Sequence, residues 1–392
     1  MATPTDTRAS IPQKYLTPWF RTKRKVRRFG YRVYYHFFRL LFPTKQFHDR
    51  IPVAHIKRVL IIRYDVLGDM IVTTPIFNAL HDAGITIDVI AGPRNAMLIA
   101  PDERIANIIL YKPTFEFWLK LFKLRRRNYD VIFSLIETNP IRQAFMLFIA
   151  GTSHTRGVST FRKDVRAHAF FNQRIRVPGQ LHRHIIIRWL KVLEGSIDFG
   201  HSIMDSPVDL RYSSCETVSS FLESVHLSTG KYVVVNIASG RPETAWPPEK
   251  FTQLLDHLWK KTSLGFVVIS TDKEQQDAAR IVAVLSEERI VQFAPTKNIF
   301  EIIDLIARSA AVITPDTSIV HLASALQKPV VALYTWIGSG HPKEWSPYRV
   351  PHRIVVAMAN APVSEISVEE VTTAFHDLWQ EVESPSEKNT QR

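Results

Sequence analysis

The sequence predicts an α/β protein built as two doubly wound, parallel-sheet lobes facing a cleft, preceded by a basic amphipathic N-terminal extension. Three observations carry this expectation. From residue 57 onward, short apolar runs alternate with helical patterns, as in parallel strands covered on both faces. The alternation pauses in a polar connector and restarts near residue 231, and 392 residues suffice for two such cores. The charge is also uneven. Residues 1–50 hold twelve Lys/Arg against Asp6 and Asp49, so +10 of the chain's net +13 sits there. The expected divisions are a basic arm at 1–50, a first lobe at 51–212, a second at 213–362, and a C-terminal helix and tail at 363–392.

The arm comes first. In "RTKRKVRRFGYRVYYHFFRLLFP", Val33, Tyr34, Phe37, Phe38 and Leu41 follow helical spacing, while Arg32, His36 and Arg39 share another face. A basic helix with an aromatic face suits an anionic membrane surface, here through residues 20–42. Docking on the protein body is the competing reading. A nucleic-acid arm is a weaker one, since nothing else in the chain resembles a nucleic-acid module. No apolar run reaches the ~18 residues of a spanning helix, and "MATPTDTRAS" lacks a secretory core. The single Cys215 can form neither an internal disulfide nor a multi-thiolate metal site, which suits a reducing compartment. The expectation is a cytoplasmic protein, peripheral on the inner face of the membrane.

In the first lobe, strands are expected at 58–63, 85–91, 105–111 and 129–136. Helices are expected at 71–83, 94–100, 116–127, 140–150 and 180–196, followed by a polar connector at 197–213. In the second lobe, strands at 231–240, 265–271, 289–294, 310–315 and 329–335 alternate with helices at 248–262, 273–286, 299–309 and 317–326. A last helix spans roughly 366–383. In such sheets, ligands bind beyond the carboxyl ends of the strands.

Four stretches carry possible chemistry. "VLIIRYDVLGDMIVTTPIFNAL" (59–80) places Asp65 and Asp69 around the lone Gly68 where a buried strand becomes a helix, with too few glycines for a dinucleotide phosphate loop. In "VITPDTSIVHLASALQKPVVALYTW" (312–336), Asp316 reads as an N-cap with Thr317 and Ser318 in the first turn. That turn is either a plain cap or a prepared anion site, and His321 lies one turn along, structural or facing the ligand. In "NIASGRPETAWPPEKF" (236–251), Arg241 either meets a phosphate or pairs with Glu243. In "ISTDKEQQDAARI" (269–281), Glu274 either holds a ribose or answers the helix dipole.

Taken together, these stretches and the "YDVI" strand at 129–132 resemble glycosyltransferase family 9, the ADP-heptose:lipopolysaccharide heptosyltransferases, over roughly residues 56–350. The resemblance implies a GT-B fold, with acceptor binding in the first lobe and nucleotide-sugar binding in the second. It implies that Asp69 is the base, that ADP departs onto the helix turn at Thr317 and Ser318, that Asp316 meets donor sugar hydroxyls, and that Glu274 holds the ribose. The expected activity is inverting heptose transfer from ADP-heptose to a lipid-linked lipopolysaccharide-core acceptor. No metal or cofactor is expected, since no Asp-x-Asp motif occurs. Arg63, Arg94, Arg142 and Arg156 are candidates for acceptor phosphates.

Some positions depart from the family pattern. Asp65 stands where a small hydroxyl residue is usual, and Thr244–Ala245 where a donor lysine is usual. Ser318 replaces a glycine, and Tyr334–Thr335 replaces Phe-Gly. Two alternatives stay open: a relative using another nucleotide sugar or acceptor, and an inactive binding protein on the same scaffold. A protein-modifying relative with cysteine-ligated iron is not supported by one Cys.

Overall fold

The computed structural model describes residues 46–136, 140–160, 171–177, 183–337 and 341–383. The basic arm and its amphipathic segment at 20–42 lie outside them. The first sheet contains β1 (Arg58–Arg63), β2 (Thr86–Ala91), β3 (Ile105–Leu110), β4 (Val131–Ser134), β5 (Arg156–Thr160) and β6 (Gln173–Ile175). Its order is β3-β2-β1-β4-β5-β6, and every pairing is parallel. The second contains β7 (Tyr232–Asn236), β8 (Gly265–Ile269), β9 (Ile290–Gln292), β10 (Ala311–Pro315), β11 (Val330–Tyr334) and β12 (His352–Val356). Its order, β9-β8-β7-β10-β11-β12, repeats the first. In both sheets the strand order therefore reverses between the first and fourth strands, and in such folds ligands bind beyond the carboxyl ends at that point. The sequence puts its chemistry-bearing turns at three of those four strand ends.

The helices are α1 (Leu67–Ile71), α2 (Thr74–Asp82), α3 (Pro93–Leu98), α4 (Phe115–Leu124), α5 (Pro140–Ala150) and α6 (Ile185–Ser196) in the first lobe. They continue with α7 (Glu216–Ser224), α8 (Pro248–Lys261), α9 (Gln275–Leu285), α10 (Ile299–Arg308), α11 (Ser318–Ala325) and α12 (Val368–Glu383). The single helix expected at 71–83 is two. It begins earlier, at Leu67, and breaks at Val72–Thr73, because Pro75 has no N–H to give and disfavours helical geometry before it. That early start places Asp69 in the first turn of α1.

The pattern reading missed β5, β6, β12 and α7. The first three lie at or beside sheet edges. "RGVST", "QRI" and "HRIVV" are short and mix polar with apolar residues, because an edge strand need not be apolar on both faces. Helix α7 lies just past the expected connector, in a stretch to which no element was assigned; it buries only Val218 and Leu222.

One apolar cluster runs through both lobes. It joins Val59, Ile61 and Trp189 of the first to Ile319, Val320 and Leu322 of the second, by way of Met70, Ile71 and Val72. Helix α1 packs directly on α11. Arg188 of α6 pairs with Glu344 at 3.2 Å, both side chains 1% exposed. Ile185 N donates to Glu344 O at 2.9 Å. His184 Nδ1 accepts from Ile186 N at 3.2 Å, so Nε2 carries the proton it donates to Ser346 O at 2.8 Å. Burial holds the His184 pKa down at about 4, which keeps the ring neutral for this double role.

Candidate active site

The first-lobe turn is organised by Arg63, the last residue of β1, whose side chain is 1% exposed. Nη2 donates to Asp69 Oδ1 at 2.9 Å and Nε to Asp69 O at 3.0 Å. Nη1 donates to Asp65 Oδ2 at 3.2 Å and also to Leu135 O. The fork thus ties the loop after β1 to the loop after β4, across the point where the sheet order reverses. Trp189 lies against the guanidinium, 5.2 Å from ring centroid to Cζ.

Two carboxylates share this one cation. Asp65 Oδ1 is buried without a hydrogen-bond partner. Burial, opposed by Arg63 and reinforced by Asp69, raises the Asp65 pKa to about 7. Asp69 keeps 16% of its side chain exposed, and Thr73 Oγ1 donates to its carbonyl at 2.8 Å.

In the second lobe the helix cap differs from the expected one. Thr317, not Asp316, caps α11; its Oγ1 accepts from Ile319 N at 3.3 Å. Asp316 N is still tied to Leu333 O at 2.9 Å, and its carboxylate accepts from Arg241 Nη2 at 3.2 Å. Burial raises the Asp316 pKa and Arg241 pulls it back. Ser318 opens the helix.

Asn236, which closes β7, was not singled out beforehand. Its amide donates to Thr314 Oγ1 at 2.9 Å, Thr317 Oγ1 at 3.3 Å and Ala238 O at 3.2 Å, fixing both second-lobe turns at once. A polar residue ending an apolar strand was the available signal. Thr244, at the position of the missing family lysine, is buried with its hydroxyl engaged by Ser239 Oγ at 2.6 Å and Arg241 O at 3.0 Å. It faces inward, which leaves Arg241, 34% exposed, as the cation of this turn. A Cβ at Gly240 would meet nothing within 4 Å.

Glu274 lies just before α9, tied to Thr271 Oγ1 and 3.3 Å from Lys273. It follows β8, two strands from β10, hence about 10 Å along the sheet edge from the Asp316 turn.

The two turns meet across the lobes. A Cβ built on Gly68 would lie 2.9 Å from His321 Cδ2 and 3.7 Å from Ser318 Cα. Gly68 therefore serves close approach between lobes; its φ is not in the left-handed region. His321 is 6% exposed and packs edge-on against Trp345 at 5.6 Å. Burial, with the neighbouring His184, lowers its pKa to about 3, so it is neutral at ordinary pH.

The four candidate arginines separate. Arg63 is buried in the internal network and does not present its charge outward. Arg156 starts β5 at the opposite, amino edge of the sheet, stacks on Phe47 at 4.3 Å and binds Asp49 at 2.8 Å. Its place excludes it from the crevice. Arg94, exposed at the start of α3, lies beside Asn95, which holds the Asp65 and Arg63 carbonyls. Arg142 donates to Tyr111 Oη at 2.9 Å, and Tyr111 stacks on Tyr64 at 4.1 Å. Arg94 and Arg142 therefore flank the site.

The family model of glycosyltransferase family 9 (heptosyltransferase) matches residues 118–373. The chain belongs to glycosyltransferase family 9. As a family 9 glycosyltransferase, it is 26% identical over 297 residues to lipooligosaccharide heptosyltransferase 2 of Haemophilus influenzae, covering 70% of this chain and 82% of that one. It is 22% identical over 291 residues to lipopolysaccharide heptosyltransferase 1 of Escherichia coli K12, covering 71% and 87%.

Among solved structures, a family 9 glycosyltransferase from Veillonella parvula superposes with a TM-score of 0.68 at 19% identity, covering 83% of this chain and 97% of that one. E. coli ADP-heptose lps heptosyltransferase II superposes with a TM-score of 0.65 at 19% identity, covering 83% and 99%. The architecture is GT-B, as expected.

Proposed function

We propose that this family 9 enzyme transfers a heptose from ADP-heptose, with inversion, to a lipid-linked lipopolysaccharide-core acceptor at the inner face of the cytoplasmic membrane. The observation that carries this reading is the approach of Gly68 to Ser318 and His321. It brings the turn that carries Asp69 against the turn that begins α11. Asp69 takes the proton of an acceptor hydroxyl, whose oxygen attacks the anomeric carbon as the bond to the ADP oxygen breaks. The charge arriving on the diphosphate meets the N–H groups at the start of α11, the hydroxyls of Thr317 and Ser318, and Arg241 in place of the usual lysine. Asp316, steadied by Arg241, accepts from hydroxyls of the transferred sugar. Glu274 accepts from the ribose. The protein's own cations and helix dipole answer the leaving group, so no metal is assigned. Arg94 and Arg142, at the first-lobe rim, meet acceptor phosphates in this reading.

Asp69→Asn tests the reading. Transfer should fall by about 10²–10⁴-fold while ADP affinity measured by calorimetry stays within a factor of two or so. A variant that transfers normally removes Asp69 from the chemistry. The inward-facing Thr244 favours one second reading, a different nucleotide sugar. Titration with ADP-, UDP- and GDP-sugars separates the two.

A further inference from the structure

Helix α4 carries apolar residues on two opposite faces. Phe117, Leu121 and Leu124 are buried against the first sheet. Phe115, Leu119 and Phe122 stand outward, 77%, 47% and 60% exposed. At about 100° per residue the outward three fall within a stripe about 60° wide, centred roughly opposite the buried three. The stripe is therefore not the margin of the core. Exposed Lys112, Lys120, Lys123, Arg125 and Arg126 surround it, none with an ion pair among the described residues, against the single acid Glu116.

We propose that this outer face of α4 is a docking surface for an anionic lipid bilayer. Phe115, Leu119 and Phe122 enter the interface, and the flanking lysines and arginines meet lipid phosphates. Charge decides the occupant. The chain's own basic arm, the other aromatic segment that could cover the stripe, carries +10 and would meet like charge here.

Position supports the assignment. Helix α4 begins at the carboxyl edge of β3, the edge that holds the Asp65–Asp69 turn. An aromatic ladder runs from the turn to the helix: Tyr64 to Tyr111 at 4.1 Å, Tyr111 to Phe117 at 5.2 Å, and Phe117 to Trp118 at 5.2 Å. A bilayer on this face lies beside the acceptor side of the crevice. The surface deepens the proposed lipid-linked acceptor and rests on that reading for its purpose, not for the binding itself.

The full chain is sedimented with mixed phosphatidylglycerol–phosphatidylcholine vesicles and with pure phosphatidylcholine. The wild type should partition onto the mixed vesicles and weakly onto the neutral ones. Phe115→Ser/Leu119→Ser/Phe122→Ser and, separately, Lys120→Gln/Lys123→Gln/Arg126→Gln should each lower partitioning about tenfold or more, with unchanged circular dichroism. Hydrogen exchange over residues 115–126 should slow when mixed vesicles are added. Undiminished partitioning of both variants overturns the proposal. So does slowing over 115–126 that follows protein concentration without vesicles, which would mark a contact between two copies. The apolar variant should also keep its transfer rate on a deacylated acceptor and lose it on the lipid-linked one. A wild type that transfers to neither sinks the catalytic reading and leaves the vesicle result to decide the surface.

Discussion

Asp65→Asn should stabilise the first lobe at alkaline pH and do nothing at acid pH. Arg63 is one cation held between two carboxylates, so a fully ionised cluster carries a net negative charge in a site where Asp65 Oδ1 has no hydrogen bond. The fold therefore prefers Asp65 protonated, with a pKa of about 7 against 3.8 when unperturbed. An acid whose pKa is raised on folding binds more protons in the native state between those values. Stability from this group is fully present below about 3.8 and is lost as pH rises to about 7. Three pH units at about 1.4 kcal/mol each give a loss of ~4 kcal/mol at pH 8. Asparagine cannot ionise, yet its carbonyl can still accept from Arg63 Nη1. The variant should equal the wild type near pH 4 and exceed it by ~4 kcal/mol at pH 8. Urea unfolding followed by tryptophan fluorescence reads this, since Trp189 stacks on Arg63. Histidine titration is common to both proteins and cancels in the difference. A difference flat across that pH range refutes the shared-proton argument.

Two further outcomes test the seam between the lobes. Gly68→Ala should force a methyl group onto His321, which cannot retreat because Trp345 backs it; a cost of about 1–3 kcal/mol and a clear fall in kcat/KM are expected. Unchanged activity and Tm would show that the lobes do not close through this contact. Glu344→Ala should leave the Arg188 guanidinium buried without its carboxylate, costing about 3–5 kcal/mol in equilibrium unfolding. A cost under about 1 kcal/mol would mean that water reaches the pair.

Much of the architecture follows from local pattern. Strands such as "KYVVVN" and "AAVITP" are apolar runs too short for helices, so alternation with amphipathic segments leaves a parallel sheet as the arrangement that buries both faces. Where pattern weakened, at β5, β6 and β12, the strands sit at or beside a sheet edge and carry mixed residues. The candidate site was legible to the same extent. Asp69, Asp316, Thr317, Ser318 and Arg241 all end or follow strands near the reversal point of their own sheet, and the approach of Gly68 to His321 and Ser318 joins the two turns.

What the sequence alone determined is the repeated α/β alternation, the two lobes, and the strand ends at which polar residues gather, because these depend on contacts within a few residues. Tertiary structure decided the partners. Only the folded chain shows that Arg63 turns inward to bridge Asp65 and Asp69, that Arg156 lies at the wrong end of its strand, and that Gly68 is small to admit His321. In α4, whose apolar residues surround the helix, only packing reveals which stripe is buried. Hydrophobic period fixes a helix or strand locally. Which face meets the core, and which charge meets which, depends on residues distant in sequence that are joined only when the sheets assemble.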